Sequence, residues 1–134
     1  MFSEKPAIRK IVSSGSPLEN EIGFSRACRI GSNIAISGTA PLSDKGDIVC
    51  KGDVYGQTKR CLEICLAALE EAGGVIECVI RTRIMLIDIS TWELAAKAHG
   101  EVFNEIKPAC TFVEVKGFID QDWLVEIEMD GQLG

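Results

Sequence analysis

Histidine and aromatic side chains are scarce in this chain: one His, one Tyr, two Trp and five Phe among 134 residues. A single imidazole removes any mechanism built on paired histidines. It also disfavours zinc, whose sites are assembled from clustered Cys and His at short spacings. No Cys-x-x-Cys pair occurs among Cys28, Cys50, Cys61, Cys65, Cys78 and Cys110. No apolar run approaches the ~18 residues of a membrane span, so no membrane partner is expected. The opening Met1-Phe2-Ser3-Glu4-Lys5-Pro6 lacks the apolar core of a signal peptide, and a cytoplasmic protein is expected. There is no basic stripe, and the net charge of −6 opposes a phosphate backbone. Nucleic acid is therefore an unpromising partner.

What remains is an ordinary globular composition, 46% apolar and 25% charged. Residues 1–134 fit one domain with a continuous core. Such a core needs no covalent staples, so the six cysteines are expected as free thiols.

Two runs, Phe24 to Ile30 and Asn33 to Ser37, flank Gly31-Ser32 and predict a hairpin. Ala7 to Ser13 is a candidate edge strand, and Leu42 to Gly52 has loop chemistry. From Asp53, a candidate N-cap, the period becomes helical: Val54, Thr58, Cys61, Leu62, Cys65, Ala68, Leu69 and Ala72 share one face before Gly73-Gly74. Cys78 to Asp88 predicts a strand with Ile80, Ile84 and Leu86 on one face, and Arg81, Arg83 and Met85 on the other. Ser90 and Glu93 suggest a capping box for a second helix burying Leu94, Ala95, Ala98, Val102, Phe103 and Ile106. Strands at about Cys110 to Val115 and Leu124 to Met129 follow.

This order argues for one mixed sheet with both helices on one face. Val125, Ile127 and Met129 should meet the helices. Leu124, Glu126 and Glu128 should share the other face with Arg81 and Arg83. A face mixing apolar and paired charged residues suits a subunit interface.

Three segments carry a family resemblance: Lys107-Pro108-Ala109-Cys110-Thr111-Phe112-Val113-Glu114-Val115 with the later Glu126-Ile127-Glu128, Ser37-Gly38-Thr39-Ala40-Pro41-Leu42, and the amphipathic Val54 to Ala72 segment. The chain resembles the YjgF/RidA family of small imine deaminases from about Ile22 to Met129. The resemblance implies an α+β, chorismate-mutase-like fold and a homotrimer whose sheets form a barrel with a ligand cleft at each interface. It implies hydrolysis of a reactive enamine or imine to a carbonyl compound and ammonia, with no cofactor. The cleft positions fall on Phe24, Gly38, Cys110 and Glu126. Cys110 stands where the family has an arginine that grips the substrate carboxylate, a fork no thiol reproduces. Lys107 and Arg83 are the candidate replacement cations.

Each position also has a plainer reading. Glu126 either orients a hydrolytic water or merely pairs with Arg81 or Arg83. Cys110 is a ligand-facing thiol or a small filler, and Phe24 is cleft wall or core. Arg26 and Arg29 lie on opposite faces of their strand, so at most one faces a cleft. His99 reads as a boundary residue. The rival functions are a non-catalytic module that binds a small ligand or protects other proteins and, less favoured by the charge, an endoribonuclease.

Overall fold

The computed structural model describes residues 9–134. Its elements are β1 (Arg9–Val12), α1 (Leu18–Ile22), β2 (Ala27–Ile30), β3 (Asn33–Thr39), α2 (Val54–Glu71), β4 (Val79–Leu86), α3 (Trp92–Phe103), β5 (Ala109–Glu114) and β6 (Val125–Gln132). The first residues of the expected edge strand, Ala7 and Ile8, lie outside the described residues, as does the opening hexapeptide. β1 occupies the rest of that strand.

The six strands form one sheet in the order β1-β2-β3-β6-β4-β5. All neighbours run antiparallel except β4 and β5, which α3 connects in parallel. Gly31 turns the β2–β3 hairpin at φ +58°, a left-handed conformation that glycine adopts without a Cβ penalty. α2 and α3 pack against each other on one face of the sheet, the α+β arrangement expected from the sequence.

α2 starts where Asp53 accepts a hydrogen bond from the Gly56 amide at 3.0 Å. It stops in a Schellman turn: Gly73 sits at φ +95°, and the amides of Gly73 and Gly74 reach back to the Glu70 and Leu69 carbonyls. Arg29 secures this end, donating from Nη1 to the Ala72 carbonyl at 2.9 Å and from Nε to the Gly31 carbonyl at 2.8 Å. Cys61, Leu62, Cys65, Ala68 and Leu69 bury the helical stripe against Val125, Ile127 and Met129 of β6, all fully covered. Each large side chain so buried contributes roughly 1.5–3 kcal/mol.

Three local expectations fail for identifiable reasons. Ile80 is 52% exposed, because a register shift between Val79 and Arg81 lets Val79 take the inward place. Ser90 and Glu93 make no capping box. Asp88 instead caps the 3₁₀ turn Ile89–Thr91 by accepting from the Ser90 amide, and Thr91 precedes α3 without a side-chain cap. That extra turn rotates α3, so Leu94 is 49% exposed while Ala95, Ala98 and Phe103 are buried.

Candidate functional site

β3 and β6 define the site through a bulge. Ile36 pairs with Met129 and Thr39 with Ile127, so Ser37 and Gly38 together oppose the single residue Glu128. The bulge brings the Gly38 backbone against the neighbouring outward residue of β6. A Cβ on Gly38 would lie 2.7 Å from Glu126 Oε1. Two further hydrogen bonds hold the bulge, Ser37 Oγ to the Ser25 carbonyl at 2.6 Å and Thr39 Oγ1 to the Ser37 carbonyl at 2.8 Å.

Glu126 is half-buried. Desolvation pushes its carboxyl above the usual carboxylate range, partly opposed by the nearby Arg26 cation. Arg26, just before β2, sends Nη2 to the Gly38 carbonyl at 2.7 Å. Its guanidinium carbon stands 6.0 Å from the centre of the Phe24 ring. Burial lowers the Arg26 pKa, with Glu126 acting the other way. Phe24, Gly38 and Glu126 are therefore gathered at one place, and Arg26 joins them. Of the two strand arginines, Arg29 serves the end of α2 and Arg26 faces the site.

Next to the bulge the outer sheet face forms an open depression of ≈ 510 Å³ lined by Phe24, Ser37, Arg81, Arg83, Glu128 and Asp130, among others. Arg83 and Glu128 are register partners on β4 and β6, joined by an ion pair of 2.5 Å. Arg81 stands opposite Asp130 in the same register. The charged outer face expected from the alternation is present.

Cys110 is elsewhere. It lies on the edge strand β5, exposed, in register with Thr82. β6 and β4 separate it from Gly38, about 14 Å at the usual strand spacing. Its face is the helix side, shared with Phe112, whose ring meets Trp92 edge-on with centroids 6.0 Å apart. Lys107 is exposed at φ +55° and spends its ammonium on the Asn104 carbonyl at 2.7 Å. Within one chain, then, Cys110 and Lys107 do not meet Glu126.

A part-buried polar contact not evident from the sequence joins His99 Nε2 to Thr82 Oγ1 at 2.8 Å. Desolvation lowers the His99 pKa. Thr82 is wholly buried, and its place between Arg81 and Arg83 in an alternating strand was the available signal.

The family described as Endoribonuclease L-PSP matches residues 15–132. The chain belongs to this family, the YjgF/RidA family. An uncharacterized protein of Streptomyces coelicolor is 39% identical over 129 residues, covering 96% of this chain and 94% of the relative. The 3-aminoacrylate deaminase RutC of Acinetobacter baylyi is 34% identical over 94 residues, 70% of this chain and 74% of that protein. A crystal structure of a YjgF-family protein from Mycobacterium tuberculosis superposes with TM-score 0.84 at 38% identity, covering 94% of this chain and 100% of the other. The YjgF/RidA membership and fold expected from the sequence hold. Among the described residues no helix is long and apolar enough to cross a membrane.

Proposed function

We propose that this YjgF/RidA chain forms a homotrimer whose intersubunit clefts bind a small enamine or imine and hydrolyse it to a carbonyl compound and ammonia. The observation that carries the reading is the half-buried Glu126 carboxylate set against the bare backbone of Gly38. Only a glycine leaves the carboxylate that place. Burial also raises its basicity toward the range useful for proton transfer near neutral pH.

In the reaction, Glu126 takes a proton from water as the water oxygen bonds to the iminium carbon. The C=N double bond becomes single and a carbinolamine forms. Glu126 then returns the proton to nitrogen and, as the C–N bond breaks and ammonia departs, takes the proton of the carbinolamine hydroxyl while the C=O bond forms. Phe24 provides an apolar wall that keeps bulk water from the reacting carbon.

The separation of Cys110 from Gly38 within one chain supports a cleft completed by a second copy, with β5 of one chain approaching β2 and β3 of the next. The relationship to a 3-aminoacrylate deaminase supports the reaction class. An endoribonuclease, which the family description names, is disfavoured by the net charge of −6.

The exposed Cys110 thiol in place of a guanidinium favours a second reading, a module that binds the ligand without turning it over. Generating 2-iminobutyrate in situ with an amino-acid oxidase and following its decay separates the two. Faster decay with the natural protein, lost in Glu126→Gln, supports hydrolysis. Decay at the uncatalysed rate with retained binding supports the binding module.

A further inference from the structure

The guanidinium of Arg26 has more donors than partners. It is part-buried on the site side of β2, and among the described residues the only acceptor it reaches is the Gly38 carbonyl, 2.7 Å from Nη2. Its buried Nε has no hydrogen-bond partner there at all. Leaving a buried donor unsatisfied is unfavourable, and more so when it is charged. A buried cation is tolerated when something supplies the missing acceptors.

Of the cations the sequence offered, three are committed elsewhere, while Arg81, which lines the depression, is exposed opposite Asp130. Arg83 is paired with Glu128, Lys107 with the Asn104 carbonyl, and Arg29 with the Gly31 and Ala72 carbonyls. Among the described residues Arg26 makes no ion pair, although Glu126 is near enough to favour its charge. Arg26 and Glu126 thus both approach Gly38, a cation and a carboxylate that form no ion pair with each other. A ligand bearing both a carboxylate and a carbon open to water attack would answer both groups.

We propose that Arg26 is the anion-binding residue of this cleft, taking the carboxylate of a 2-oxo or 2-imino acid and so replacing the guanidinium that Cys110 cannot supply. The inference rests on the cleft reading above and adds the residue that holds the ligand's anionic group. The planar fork of Arg26 matches the two coplanar oxygens of a carboxylate, and Gly38 holds one arm of that fork in place. The Phe24 ring beside the guanidinium limits water that would compete for it.

The test titrates the assembled protein calorimetrically with 2-oxobutyrate and with its neutral analogue 2-oxobutyramide. The natural protein should bind the acid in preference to the amide. Arg26→Gln should weaken the acid roughly 10- to 100-fold, with the amide and the oligomeric state unchanged. Arg26→Lys should recover only part of the loss. Equal affinity for the acid in Arg26→Gln and the natural protein, with Glu126-dependent turnover intact, overturns this inference and leaves the cleft reading standing. No binding of either probe by the natural protein overturns both. Should the variants fail to fold, the Nε–Hε resonance of Arg26 in the natural protein decides: a shift with the acid but not the amide supports the proposal, and no shift contradicts it.

Discussion

Glu126 Oε1 occupies the space that a β-carbon on Gly38 would need, 2.7 Å from where that carbon would sit. The atom in the way is the far end of a flexible side chain. An added methyl can therefore be accommodated by moving the carboxylate rather than the backbone. Gly38→Ala should leave folding stability within about 1 kcal/mol of the natural protein. It should also slow imine hydrolysis roughly tenfold or more by displacing the base. Thermal melts and imine decay on the same samples check this; a large loss of stability would show that the glycine serves the fold instead.

Arg83 and Glu128 form an ion pair of 2.5 Å, each about two-fifths exposed in the single chain. Left in water, such a pair is worth at most about 1 kcal/mol. Within a trimer it would be desolvated, and removing one partner would strand the other charge. Arg83→Ala should therefore lower the association state at micromolar concentration while far-ultraviolet circular dichroism stays native. Light scattering that shows an intact assembly would place this face on open surface.

His99 provides a pH dependence with a definite sign. Burial lowers its pKa in the folded chain below the ordinary value of 6.5, so between those two values the unfolded chain binds more protons. Stability from this group is full above about pH 6.5 and falls as the pH drops toward the folded pKa. His99→Gln, which can still hydrogen-bond Thr82, should flatten that part of the curve. Melting temperatures of both proteins from pH 7.5 to 5 measure it; identical slopes would mean the imidazole is solvated.

The thiols should separate into two groups under mild alkylation. Cys50 and Cys110 are exposed, while Cys61 and Cys65 are buried against β6. Desolvation raises both buried thiols, Cys65 to about 11. Mass-spectrometric mapping should find Cys50 and Cys110 labelled first, with Cys110 alone protected when 2-oxobutyrate fills the cleft. Early labelling of Cys61 would contradict the packing of α2.

Much of the architecture was legible because two periods differ so clearly: the α2 stripe from Val54 to Leu69 and the alternation of Val125, Ile127 and Met129 in β6 place the apolar core residues where they are found, though not the buried Gln57 or Gly131. The errors lie where one residue shifts the phase. The register shift at Val79 to Arg81 turns Ile80 outward, and the 3₁₀ turn before α3 does the same to Leu94. The site was legible only in part. Family resemblance pointed to Gly38, Glu126 and Phe24, which the fold brings near one another, but alternation alone left Arg26 and Arg29 as equals. What separates them is the end of α2, whose carbonyls claim Arg29 through a contact between residues far apart in sequence.

The proposed site lies between copies of this chain, with Gly38 and Glu126 from one facing Cys110 of the next. A crystal structure of the assembled protein with 2-oxobutyrate bound tests it most directly. The expected result is the ligand at the Ser37–Gly38 bulge, its carbonyl carbon beside Glu126 and the neighbouring Cys110 within contact distance. A ligand held within a single chain, or an assembly that leaves β5 and Cys110 in solvent, would contradict it.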